Sequence, residues 1–202
     1  PLVACAPGTR RRVVFAARRT EKGAILGFNR AASHQIVAIE SCVVATGRIN
    51  RALPSLRRLA TAVAVGREAF HFSVLDAEPG LDIAVDAPFK LSEPDRLRII
   101  SAVRAEQPVA RLSFNGEILI EKHPPQLTFG SVVVSPPPGG FVQASHEAET
   151  VMGDLVADHL KKSKRVVDLF SGSGTFTLRL AAHAHIHAVE GDGASLAALD
   201  KA

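Results

Sequence analysis

Tryptophan and tyrosine are absent from the 202 residues, methionine occurs once and cysteine twice. Stacking on a planar ligand must therefore come from the ten phenylalanines or the eight histidines. Two thiols, Cys5 and Cys42, cannot build a disulfide framework, so the chain reads as a reduced, cytoplasmic protein. No run of roughly 18 apolar residues occurs, which argues against a membrane-spanning helix. The first twelve residues also lack the apolar stretch of a secretory leader. A start at Pro1 rather than Met points to a piece of a longer protein. Acids are scarce in the front of the chain: residues 1–67 carry twelve Lys and Arg against Glu21 and Glu40 alone, whereas residues 68–202 carry twelve against eighteen acids. A basic front half on a mildly acidic rear half points to a polyanion-binding face, with RNA as the expected partner. Arg10, Arg11, Arg12, Arg18, Arg19, Lys22 and Arg30 are its candidate phosphate contacts.

Short apolar runs separated by turn residues predict strands over 12–18, 24–28 and 35–39, an antiparallel meander. Apolar residues at helical spacing (Ile49, Leu53, Leu56, Leu59, Ala60, Val63) predict a helix over 48–65. A hairpin follows over 69–75 and 81–85 around Glu78-Pro79-Gly80. Ser92 is a candidate N-cap for a helix to Glu106, with Pro94 in its first turn. Asn115-Gly116 marks a second hairpin over 109–114 and 117–121, and short strands are expected at 127–129 and 132–134. Hairpins alternating with two helices make an α+β central domain over residues 1–135.

Ser135-Pro136-Pro137-Pro138-Gly139-Gly140 cannot lie inside a helix or a central strand, so 136–140 reads as a linker. Beyond it, a helix is expected over 145–160, a strand over 166–170, a helix over 175–182, a strand over 185–190 and a helix over 194–202. Alternating strands and helices predict the first part of an α/β Rossmann-like parallel sheet over 141–202.

The strand Val166-Val167-Asp168-Leu169-Phe170 runs into Ser171-Gly172-Ser173-Gly174-Thr175, and the next strand ends at Glu190, eighteen residues after Gly172. Glycines at the carboxyl end of a parallel strand let a ligand approach the backbone, and an acid at the tip of the next strand suits the two hydroxyls of a ribose. A dinucleotide fingerprint would place a third glycine where Thr177 stands. Asp168 would also repel a pyrophosphate. S-adenosylmethionine, with a sulfonium and an amine in place of phosphates, fits both departures.

At these residues the chain resembles the RNA uracil-5-methyltransferases, class I enzymes that use S-adenosylmethionine. Arg10-Arg11-Arg12-Val13, Leu26-Gly27-Phe28 and Ser33 to Cys42 resemble the family's central domain. Phe141-Val142-Gln143-Ala144-Ser145 resembles its Phe-x-Gln-x-Asn motif. Asp168 to Phe176 resembles its Asp-Leu-Phe-Cys-Gly-x-Gly-x-Phe motif, with Ser171 in place of the Cys. The resemblance implies cofactor contacts at Gln143, Phe170, Thr175 and Glu190, beside Asp168, Gly172 and Gly174 from the turn itself. Ser145 in place of Asn implies a weaker polar contact there. Cys42 matches the last of four cysteines that hold a [4Fe–4S] cluster in many members. One thiolate cannot hold a cubane, so a cluster is expected only in a longer parent.

The family's reaction uses a cysteine thiolate that adds to C6 of uracil and a base that removes the C5 proton. The motifs carrying both are not found in these 202 residues. The expectation is a monomeric unit with part of a cofactor pocket and no catalytic residues, inactive by itself, within an RNA methyltransferase that favours ribosomal over transfer RNA. Two other readings remain: a Rossmann methyltransferase for another RNA base or a protein, and a non-catalytic RNA-binding module. His183, His185 and His187 alternate as ligands on one strand face would, with no fourth ligand nearby in sequence. His34 and His123 are loop residues without a partner. The basic run 161–165 reads as the end of a helix, where cations interact favourably with the dipole.

Overall fold

The computed structural model describes residues 4–202; the first three residues of the expected central domain lie outside these. β1 (Arg12–Thr20), β2 (Gly23–Asn29) and β3 (Ile36–Ala38) form the antiparallel meander. α1 (Gly47–Val63) then crosses the sheet, so that β4 (Phe70–Asp76) pairs antiparallel with β1 on the side away from β2. β5 (Leu81–Asp86) completes a hairpin with β4. α2 (Glu93–Ala105) carries the chain to β6 (Val109–Phe114), parallel to β5, and β7 (Glu117–Glu121) closes the far edge. The sheet order is β3-β2-β1-β4-β5-β6-β7.

Strand alternation explains why one face is covered. Val13, Phe15 and Ala17 of β1, with Phe70, Phe72 and Val74 of β4, point to the side where α1 packs through Ile49, Leu53, Leu56, Leu59 and Val63. Each of these α1 side chains is fully buried. Ile99 and Val103 of α2 fill the remainder. Ser92 caps α2 as expected, and Asp95 returns the bond to the Ser92 amide. Asn115 (φ +47°) and Gly116 (φ +85°) make the tight turn expected of that pair.

β8 (Leu127–Phe129) and β9 (Val132–Val134) form a small hairpin. Its Leu127, Phe129 and Val134 pack with Leu75, Ala77 and Val142, and Leu178 and Ala198 lean on the same cluster. This second core seats the C-terminal elements: α3 (His146–Leu160), β10 (Arg165–Leu169), α4 (Thr177–Leu180), β11 (His185–Val189) and α5 (Gly193–Asp200). β10 and β11 are parallel, as the sequence pattern predicted. The architecture is α+β followed by two strands of a Rossmann-like sheet. The helix expected over 175–182 is only one turn long. The turn that holds Gly172 (φ +56°) and Gly174 (φ +96°) runs on through Phe176, so the helix begins only at Thr177, and residues 181–183 already turn toward β11. His183 falls in that turn, so only His185 and His187 lie on the strand.

Ser135–Gly140 forms no helix or strand. It is tied to the sheet by Arg111, whose guanidinium makes two bonds to Asp82 (2.9 and 2.7 Å) and a third to the carbonyl of Pro136 (2.8 Å). Both side chains are almost wholly buried. Removing one partner strands the other as an uncompensated charge. Arg111→Met is therefore expected to lower unfolding free energy by about 3–5 kcal/mol, read from the midpoint of urea denaturation.

Candidate functional site

The tips of β10 and β11 lie side by side, with Leu169 opposite Val189. The amides of Phe170 and Ser171 both donate to the Val189 carbonyl, at 2.8 and 3.2 Å. This folds the chain sharply back at the strand end. Phe170 takes a left-handed conformation (φ +61°) and its side chain is 89% exposed. Such a conformation costs a residue with a Cβ about 1–2 kcal/mol, and the exposed ring offsets none of it by packing.

Two glycines follow, with different duties. A Cβ on Gly172 would meet nothing within 4 Å, so space is open above it. A Cβ on Gly174 would lie 2.5 Å from Leu199 Cδ1 of α5 and force that side chain to shift, and the positive φ favours glycine there. Ser171 and Ser173 are buried, and Ser171 Oγ has no hydrogen-bond partner.

The acids are held by this same turn. Asp168 Oδ2 accepts from Thr177 Oγ1 at 2.6 Å. Glu190 Oε2 accepts from the Gly172 amide at 2.7 Å, and Oε1 from the Asp192 amide at 2.8 Å. The bonds from Asp192 and Gly172 hold the Glu190 carboxyl below the usual carboxylate range. Glu190 thus joins the two strand tips as an anion. Asp192 in turn caps α5, accepting from the amides of Ala194 and Ser195.

The structure brings Asp168, Phe170, Gly172, Gly174, Thr175 and Glu190 together at one end of the parallel pair. Gln143 lies on the segment before α3 and lines a groove of about 350 Å³ with Cys5, Arg10 and Val44. Cys42 sits between β3 and α1, half-buried against the large core, its backbone amide bonded to Asn50 Oδ1 at 2.8 Å. Among the described residues no group of three or more His, Cys, Asp or Glu could hold a metal ion. The donors present therefore do not fit an iron–sulfur cluster. Among the described residues no helix is long and apolar enough to cross a membrane.

The arginine triplet does not act as one patch. Arg10 is exposed. Arg11 is buried and paired with Glu149, so it cannot meet a phosphate. Arg12 is half-buried, its guanidinium 5.5 Å from the centre of the Phe141 ring. Arg18, Arg19, Lys22 and Arg30 are exposed. Sequence reasoning also missed Arg179 and Glu149, because nothing in their spacing links them.

No protein-family profile matches the chain. An uncharacterized RNA methyltransferase of Mesorhizobium japonicum is 50% identical over 200 residues, 99% of this chain and 48% of that protein. One of Rhizobium meliloti is 47% identical over 199 residues, 98% of this chain and 48% of that protein. The chain is a homologue of RNA methyltransferases. It spans about half the length of the curated relatives it matches. The 23S rRNA (uracil(1939)-C(5))-methyltransferase RlmD of Shewanella woodyi is 32% identical over 178 residues, 84% of this chain and 40% of that protein. Among solved structures, the tRNA (uracil-54, C5)-methyltransferase of Pyrococcus abyssi in complex with S-adenosyl-L-homocysteine matches with a TM-score of 0.72. The match covers 98% of this chain and 52% of that one, at 15% identity, which shows a shared fold. The resemblance to RNA uracil-5-methyltransferases read from the motifs holds.

Two outcomes are expected at the turn. Gly174→Ala combines backbone strain with a clash against Leu199 and should destabilise by roughly 2–4 kcal/mol in thermal or urea unfolding. Glu190 has a folded pKa below its ordinary 4.5, so its stabilisation is complete above that value and is lost as pH falls through the folded pKa. The stability gap between the unaltered chain and Glu190→Gln should therefore be constant above about pH 6 and shrink toward about pH 3, measured by urea midpoints across that range.

Proposed function

We propose that this chain supplies the methyl-donor crevice and an RNA-facing sheet of an S-adenosylmethionine-dependent methyltransferase acting on C5 of uridine, with ribosomal RNA favoured over transfer RNA. The observation that carries the reading is the anionic Glu190 at the tip of β11, bonded to the Gly172 amide beside an exposed, left-handed Phe170. The relatives named RNA methyltransferases support the same chemistry. On this reading residues 1–135 form the central domain, 136–140 the linker and 141–202 the first part of the donor-binding domain.

S-adenosylmethionine, when bound, supplies an electrophilic methyl group. The residues here bind and orient. The outward lone pairs of Glu190 accept from the ribose hydroxyls. The ring of Phe170 packs against the adenine, which recovers the cost of its backbone conformation. Open space over Gly172 admits the ligand against the backbone, and Gly174 and Thr175 shape the floor. Asp168, pinned by Thr177, presents its second oxygen to the amino group, and Gln143 offers an amide. Fixed negative charge at Asp168 and Glu190 favours a cationic donor over an anionic dinucleotide. Neither Cys5 nor Cys42 lies at the strand tips, so the C6 nucleophile on this reading is not one of them.

Isothermal titration of the chain with S-adenosylhomocysteine tests the crevice. Glu190→Ala removes charge-assisted hydrogen bonds worth about 1.5–3 kcal/mol and should weaken binding roughly 10- to 100-fold. Methylation of RNA by the natural protein containing this chain, with nucleosides resolved by mass spectrometry, should yield 5-methyluridine. A different methylated nucleoside would reassign the substrate, and no donor binding at all would remove the reading.

A further inference from the structure

The Glu149 side chain is 0% exposed. Arg11 Nη2 donates to its Oε2 at 2.5 Å, and Arg11 Nε donates to the Gln143 carbonyl at 3.1 Å. Glu149 Oε1 has no hydrogen bond. It faces Arg179 Nη2 at 3.6 Å, with the exposed imidazole of His146 at 3.9 Å. Arg179 Nε is also buried without a partner.

Arg179 reaches this place through a slot that two glycines keep open. A Cβ on Gly153 of α3 would lie 2.6 Å from Arg179 Cδ, and one on Gly130 in the β8–β9 turn 3.3 Å from Cγ. Threading a long side chain over two glycines costs rotamer entropy. An apolar side chain would fill the slot with no charge to bury, and such replacements are often neutral or stabilising. Packing alone therefore does not account for a cation here. What the cation supplies is opposite charge to a carboxylate oxygen that is buried without a hydrogen bond, 3.6 Å away. Arg179 follows the glycine turn by five residues and stands on the same helix as Thr177, which holds Asp168. Arg11 holds the backbone of Gln143. The helix that follows the glycine turn and the segment that carries Gln143 thus converge on one carboxylate.

Resting on the donor-binding reading above, we propose that Glu149 and Arg179 are positioning residues, which hold the Ser171–Phe176 turn and the Gln143 segment in one fixed relation so that their contacts face a single methyl donor.

Arg179→Met, Arg179→Lys and Gly153→Ala in the natural protein test this. Met fills the slot without charge. Lys keeps a cation. Ala at 153 favours helix α3 by about 0.5–1 kcal/mol while its methyl blocks the slot. Each variant is followed by its Tm, its Kd for S-adenosylhomocysteine and amide exchange at residues 172–175 and 13–17. Arg179→Met should weaken donor binding about tenfold and speed exchange in the turn, with β1 unchanged. Arg179→Lys should recover most of both. Gly153→Ala should weaken binding and speed turn exchange by more than its change in Tm accounts for, with β1 exchange unchanged, which a merely structural role would not produce. A folded Arg179→Met or Gly153→Ala protein with unaltered donor affinity and unaltered turn exchange overturns the proposal. If the unaltered protein ignores the donor, the functional reading falls. The exchange data then decide this inference alone: unchanged turn protection in the variants overturns it.

Discussion

Buried charge must be paired, and in this chain that requirement decides how the C-terminal elements sit. Two guanidiniums, Arg11 and Arg111, enter the interior from the central sheet, and each takes a carboxylate and a backbone carbonyl from farther along the chain or sheet. Arg111 holds Pro136 at the start of the Pro/Gly segment, and Arg11 holds Gln143 and Glu149 just beyond it. A stretch whose prolines and glycines form no ladder is thereby anchored at both ends. Apolar contact through Leu75, Phe129 and Val142 adds area, but it is non-directional and would tolerate several orientations. The ion pairs tolerate few.

The glycine turn at the strand tips also depends on its surroundings. A left-handed Phe170 and an anion clasped by two backbone amides persist only where the surroundings over-determine them. Gly174 against Leu199, Thr177 against Asp168 and Asp192 at the head of α5 provide that support. The apolar side chains Val167, Leu169 and Val189 remain exposed on one face of the parallel pair. In a doubly wound sheet such a face is covered, and relatives twice as long have further chain to cover it.

Much of the fold was legible because the periodicities are clean. Ile49 to Val63 repeats at helical spacing and buries as one stripe. Asn115-Gly116 makes its turn by local chemistry, and Ser92 caps its helix. The pairing of Asp168 and Glu190 across a glycine turn was legible from spacing, since eighteen residues suffice for one helix and one strand between adjacent parallel tips. The parallel β5–β6 pair, and β4 crossing to the far side of β1, were not. Strand order depends on which helix covers which face, and residues far apart in sequence settle that. The arginine triplet misled for a related reason: three adjacent charges look alike in a sequence, yet Arg11 and Arg12 point to opposite faces of one strand's beginning and meet different neighbours.

The amino-acid sequence by itself determined most of the elements, which residues gather at the strand tips and kinship with RNA methyltransferases, because these depend on local spacing, turn residues and short motifs. Only the tertiary structure decided which charges are buried, that Glu149 serves two arginines, and that Arg179 passes between Gly130 and Gly153. Those facts arise where segments distant in the chain share one low-dielectric space, and no local pattern encodes such a meeting.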